Sequence, residues 1–279
     1  MPSILVTVDD TPSTIAARSL AIALARQCGA RIRGVTGLEL ADLEQIEAFP
    51  AGGAQHAYDR LQHREKRATE RRVRIADLPE LFRQSLAEAG LETDCPTLEG
   101  DVRSGLLAMI ETCDLVVTGR DTEFHLEPSD GLTPLVEHMI AKGSRPVVVS
   151  GPEPPASGPV LVAYDGSAPS AKALQMATLT GMFGDARVHL VSVTRDRPAA
   201  TVAAARARSF LEGHGIVPEV EAIASTVHPA VVLMKRASEI GARMLVMGAF
   251  GHRGFREILF GSTTRRLFDE APLPLFIHH

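Results

Sequence analysis

"SILVTVDDTPSTIAARSLAIALARQCGARIRGVTG" (residues 3–37) and "PVLVAYDGSAPSAKALQMATLTGMFGDARVHLVSV" (residues 159–193) align without a gap. Asp9 falls on Asp165, Pro12 on Ala168, Gly29 on Asp185 and Gly37 on Val193. Each segment opens on a short, β-branched-rich apolar run, "ILVTV" or "VLVAY", that stops at an Asp. Small residues follow. Then comes a stretch whose apolar positions, such as Ile15, Leu20, Ile22 and Leu24, are spaced for a helix. A second apolar run, "RIRGVTG" or "RVHLVSV", closes each segment. Runs apolar on both faces are what parallel strands need when helices cover the sheet on two sides. Strand, helix, strand in repetition implies right-handed crossovers and a doubly wound α/β sheet.

The parallel continues along the chain. "CDLVVTG", ending at Gly119, resembles "ARMLVMG", ending at Gly248, and "SRPVVVS" near Pro146 resembles "APLPLFI" near Pro274. Landmarks in the same order mark a duplication at domain scale. The join, "SGPEPPASGP" (residues 150–159), is too dense in Pro, Gly and Ser for a long helix or strand. The expectation is two tandem Rossmann-like domains, 1–150 and 159–279, with 151–158 as linker. Each has a mainly parallel five-stranded sheet flanked by helices. The first carries an insertion near 40–80, which includes "HREKRATERRVR" (residues 63–74). With Glu65 and Glu70 interleaved and no aromatic in the run, this reads as a solvated helix face and not a nucleic-acid patch.

Composition narrows the function classes. The chain has 279 residues, 45% of them hydrophobic and 23% charged, as in a globular protein. A net charge of -5, no Trp and two Tyr argue against nucleic-acid backbones and stacked bases as partners. No apolar run approaches a membrane span, and "MPSILVTVDDTPS" has no basic region before its apolar run, so a cytoplasmic setting is expected. Three scattered cysteines form no C-x-x-C, and the ten histidines show no metal-ligand spacing. Signatures of serine hydrolases, zincins and kinases are absent from the sequence.

"LVMGAFGHRGFREILFGSTTRRL" (residues 245–267) is the stretch most suggestive of chemistry. Gly248 ends an apolar run, Gly251 and Gly254 follow at intervals of three, and Gly261-Ser262 opens the last helix. Successive backbone N–H groups in such a turn make an anion-binding concavity, and a helix start adds unpaired N–H groups and a positive dipole end. Ser262, Thr263 and Thr264 bring hydroxyls, and Arg253 brings a charge. His252 stands in the same loop, but nothing in its spacing commits it to acid–base work. A turn that merely lets strand and helix pack closely would also use these glycines.

The spacing Gly248-x2-Gly251-x9-Gly261-Ser262 resembles the G-x2-G-x9-G-[ST] motif of nucleotide-binding universal stress proteins. "AYDGS" and "APLPLFI" share that family's flavour, and the resemblance covers nearly the whole chain as two tandem copies. It implies an adenine nucleotide, ATP or ADP, with Mg2+ possible at the phosphates. Asp165 would contact the nucleoside, Ala163 would sit beside the base, and the Val193 backbone would read adenine. Gly248, Gly251, His252, Arg253, Gly254, Gly261, Ser262, Thr263 and Thr264 would surround the phosphates. It also implies a stress-response module whose two halves pair like a fused dimer, with a homodimer of the whole chain possible. A slow Mg-dependent ATPase and a non-nucleotide interaction module are the alternatives. The first copy departs from the pattern. Thr122 stands at the second glycine, Gly131-Leu132 replaces Gly-Ser, and Asp121, Glu123 and Glu127 crowd the phosphate region. Asp9 remains, and that copy reads as degenerate for ATP.

Overall fold

The fold is that of a computed structural model describing residues 2–39, 53–124, 133–151, 157–249 and 261–279. The chain runs β1 (Ser3–Thr7), α1 (Pro12–Cys28), β2 (Arg31–Glu39), α2 (Gly53–Ile75), α3 (Leu78–Glu88), β3 (Thr97–Gly100), α4 (Val102–Glu111), β4 (Leu115–Gly119), α5 (Pro134–Lys142) and β5 (Val147–Ser150). It continues through β6 (Val160–Ala163), α6 (Ala168–Leu179), β7 (Val188–Thr194), α7 (Arg197–Gly213), β8 (Glu219–Ala224), α8 (Pro229–Glu239), β9 (Met244–Gly248), α9 (Ser262–Glu270) and β10 (Leu275–His278).

All ten strands form one sheet in the order β3-β2-β1-β4-β5-β10-β9-β6-β7-β8. Every pairing is parallel except the central one, where β10 runs antiparallel to β5 with Phe276 opposite Val148. This joins the two segments, "SRPVVVS" and "APLPLFI", that resemble each other in sequence. The five strands on each side repeat one order, and the chain reverses direction across the sheet between β1 and β4, and again between β6 and β9.

The period-two alternation of strand side chains explains the two-sided core. Ile4, Val6, Leu115, Val117, Val148, Val160, Val162 and Phe276 face one layer, which α1, α3, α6 and α7 cover. Their neighbours Leu5, Val116, Val147, Val149, Leu161, Leu245, Leu275 and Ile277 face the other, covered by α4, α5, α8 and α9. Each layer crosses the β5–β10 seam, so one hydrophobic core per face serves both halves. Two side chains reinforce the seam region. Arg120 donates to the Ala271 carbonyl at 2.6 Å, and Arg243 donates to Gln27 Oε1 at 3.1 Å.

The helix starts follow their residues. Ser167 and Asp196 accept from the N–H groups of Ser170 and Ala199, and Pro occupies the first turn of α6 and α7. Among the described residues, no helix is long and apolar enough to cross a membrane.

The stretch read as a solvated basic face needs correction. Arg72 and Arg74 are exposed, but Arg71 turns inward, nine-tenths buried, and pairs with Asp9 and Asp10. The helical pattern of α2 is clear in the sequence. The acidic partner, about sixty residues away in the chain, is not.

Candidate functional site

Ligands of doubly wound sheets bind beyond the carboxyl ends of the strands, where the strand order reverses. A cavity of about 240 Å³ lies at that place in the second half. Its apolar lining is Ala163, Val191, Val193, Pro229, Leu233 and Met247. Its polar lining is Asp165, Ser167, Ser170 and the start of α9 at Gly261, Ser262 and Thr263.

Asp165 is exposed at the tip of β6, and one of its carboxylate oxygens accepts from the Ser167 N–H at 2.9 Å. The bond holds the carboxyl at the cleft that it lines. Val193 lies in β7 just past the end of β6. The carbonyl of Val191 accepts from Tyr164 N at 3.0 Å, closing the β6–β7 pairing. Because backbone groups alternate sides along a strand, the N–H and C=O of Val193 point the same way, toward the space that β6 has left.

At α9, Gly261 caps the helix with extended backbone and no side-chain cap, and the first helical bond is Arg265 N to Gly261 O at 3.0 Å. The N–H groups of Ser262, Thr263 and Thr264 precede that bond and have no partner within the helix. Thr264 differs from its expected role. It lines the cavity, but it is buried and its hydroxyl donates to the Ala249 carbonyl at 2.6 Å. The hydroxyl ties β9 to α9 and leaves Ser262 and Thr263 as the hydroxyls open to a ligand.

Gly248 has a second reason to be glycine. A Cβ there would lie 2.6 Å from Ser170 N and 2.7 Å from Pro169 C, so β9 can approach α6 only without a side chain. Gly119 is confined in the same way by Ser13 at the start of α1. Gly248→Ala is therefore expected to lower the thermal unfolding midpoint whether or not ligand is present, because the clash is with backbone. An unchanged midpoint by calorimetry would show that the helix can shift. Gly251, His252, Arg253 and Gly254 lie outside the described residues, as do Glu127, Gly131 and Leu132 of the first half.

Pattern reading overlooked Tyr164, Ser167, Ser170, Val191, Pro229, Leu233 and Met247 as cleft residues. Alternation along β7 carries the signal for Val191, two residues before Val193. For Pro229 and Leu233 it is a four-residue spacing on the first turns of α8.

In the first half, the chain itself fills the corresponding space. Phe124 is fully buried, and its ring packs where Gly37 and Val102 converge. These residues occupy the positions of Val193 and Pro229. Asp9, the counterpart of Asp165, is buried. It accepts from Glu123 N at 2.7 Å and from the Arg71 guanidinium, which also donates to the Glu123 carbonyl at 3.1 Å. Burial pushes the Asp9 carboxyl up to about 7, against the opposing pull of Arg71.

Thr122 works as a staple. It is buried, its Oγ1 accepts from Gly119 N at 3.1 Å, and its carbonyl accepts from Thr133 Oγ1 at 2.5 Å. Thr133 also caps α5, accepting from Val136 N at 3.4 Å. Asp121 accepts from the Ser13 hydroxyl. The acidic residues expected to repel phosphate are thus partly spent on the chain's own donors, and the ring of Phe124 takes the apolar slot.

A cleft lined by apolar side chains, a carboxylate and a helix start, set at the switch point of a doubly wound sheet, is the place where α/β proteins of this class hold small ligands. Residues 157–279 match the model of the universal stress protein family, so this half of the chain belongs to that family. Universal stress protein Slr1230 of Synechocystis sp. (strain ATCC 27184 / PCC 6803 / Kazusa) is 28% identical over 195 residues, 69% of this chain. The alignment spans 63% of that protein's length, a little under two thirds. A universal stress protein from Archaeoglobus fulgidus DSM 4304 shares the fold with a TM-score of 0.71 at 17% identity, over 99% of this chain and 97% of its own. The protein PA1789 from Pseudomonas aeruginosa PAO1 does so with a TM-score of 0.58 at 17% identity, over 100% and 92%.

Proposed function

We propose that the chain is an adenine-nucleotide-binding universal stress protein that holds one nucleotide in the cleft of residues 159–279. The continuity of that cleft carries the reading. One cleft brings together apolar side chains beside the Val193 backbone for a base, the Asp165 carboxylate for a ribose and the start of α9, without a side-chain cap, for phosphates. The family motif in the same half supports it. ATP or ADP is the ligand, with Mg2+ able to bridge phosphate oxygens using few protein groups. Residues 1–150 form a second copy whose site is closed by its own side chains. The copies pair through β5 and β10 as a dimer fused into one polypeptide would. Binding acts as a regulatory signal in a stress response.

Titration of ATP into the full chain by calorimetry, beside Gly261→Asp and Asp165→Ala, tests this. Gly261 has φ -59°, which any residue adopts, so Asp meets no backbone strain there. Asp is also a preferred helix cap, so the variant keeps or gains stability while placing a carboxylate where phosphate would sit. The expected result is one nucleotide per chain, with binding lost in Gly261→Asp and weakened in Asp165→Ala. Two nucleotides per chain would overturn the closed first site. No binding to the unaltered chain would overturn the nucleotide reading.

A further inference from the structure

His228 lies between β8 and α8, directly before the cleft-lining Pro229, and its two ring nitrogens are engaged with different elements. Nδ1 accepts from Ala230 N at 3.3 Å and so caps α8. Nε2 stands 3.1 Å from Ser262 Oγ, on the first residue of α9. An Nδ1 that accepts leaves the proton of a neutral imidazole on Nε2. The Ser262 oxygen is then the acceptor, and its own O–H is free to point at an anion above the α9 start.

The first half supplies an internal comparison. At the corresponding position Asp101 caps α4, accepting from Ser104 N at 3.1 Å. Asp performs the capping task there, in the half whose site Phe124 and Arg71 fill. In the half with the open cleft, the same task is given to a side chain without negative charge, and its second nitrogen reaches the proposed phosphate end. A carboxylate at residue 228 would face that phosphate with like charge.

We propose that His228 is a positioning residue for the nucleotide phosphates. It orients the Ser262 hydroxyl toward them and keeps the cap of α8 free of negative charge, so that the site favours phosphorylated nucleosides over the bare nucleoside. This rests on the nucleotide reading above.

Four full-length proteins separate the parts: unaltered, His228→Asp, His228→Asn and His228→Gln. Asp and Asn retain a capping oxygen near Nδ1, and Gln places an amide N–H near Nε2. Each is titrated with ATP and with adenosine, and thermal unfolding checks that it is folded. Losing a hydrogen bond to a charged group corresponds to roughly a tenfold change or more in affinity. The expected pattern is about a tenfold loss of ATP affinity in His228→Asn, a larger loss in His228→Asp, and recovery in His228→Gln. Adenosine affinity should stay constant throughout.

ATP affinity unchanged in His228→Asp and His228→Asn would overturn the positioning role while leaving the nucleotide reading intact. Equal losses for ATP and adenosine would also overturn it, since a merely structural cap would weaken both. An unaltered chain that binds neither ligand would overturn the nucleotide reading and this inference together.

Discussion

Phe124→Ala is expected to cost about 3–5 kcal/mol of folding stability, the range for removing a large aromatic ring from a close-packed core. The ring is fully buried, meets Val102 near Gly37, and belongs to the core on the face of the sheet shared by both halves. A Cβ on Gly37 would lie 2.8 Å from it, so the absent side chain at 37 and the ring at 124 are one fitted pair. The second copy has Val at the matching position and an open cleft. Gly37→Val alone should therefore also destabilise, by overpacking. In the double variant Phe124→Ala/Gly37→Val, the new side chain enters part of the vacated space. The combined loss should fall short of the sum of the single losses by more than the few tenths of a kcal/mol expected for independent sites. Denaturant unfolding of the four proteins measures this cycle. Strict additivity would mean that the ring does not fill the slot that Val193 borders in the second half.

The sequence and the structure agree where the chain's own periodicity carries the signal. Apolar runs ending at Asp9 and Asp165, and the glycines at 119 and 248, locate the strand tips in both copies. Steric demands of a parallel sheet recur locally, and a short window is enough to see them. The plug in the first half has no such window. Phe124 is one aromatic in the stretch "GRDTEFHLEPSDG", with no neighbour in sequence to show what it packs against. Arg71 sits in a helix whose alternating charges satisfy every local rule for a solvated face, and its partners, Asp9 and Asp10, come from just past β1. Only the fold brings the two together. A usable hint was present in their opposition: a buried strand-tip carboxylate in Asp9, and an insertion rich in Arg found in that copy alone. His228 was legible only as a residue before Pro229, and its reach to Ser262 depends on how α8 and α9 lie together.

Arg71→Met should cost least near pH 5, where its pairing with Asp10 and its bond to the Glu123 carbonyl are lost, and about 3 kcal/mol more near pH 8, the cost of leaving one member of a buried ion pair uncompensated. The reason lies in Asp9. In the unfolded chain its carboxyl titrates near the ordinary value of 3.8, whereas burial in the folded protein raises it to about 7. Between those values the folded state holds a proton that the unfolded state has released. The stabilising contribution of this carboxyl is thus complete below about pH 4 and is lost as pH rises through 7. The guanidinium of Arg71 opposes that loss by attracting the charged form. Without it, the carboxyl must stay neutral to higher pH or be charged in an apolar site, and either outcome costs more as the solution becomes alkaline. Asp9→Asn has no proton to release, so its stability relative to the unaltered protein should improve steadily from pH 4 to pH 8. Unfolding free energies of the three proteins across that range provide the check. If the unaltered protein instead gained on Asp9→Asn as pH rose, Arg71 would be holding Asp9 charged well below neutrality. The first-half site would then be closed by an ion pair, and the neutral acid inferred here would be wrong.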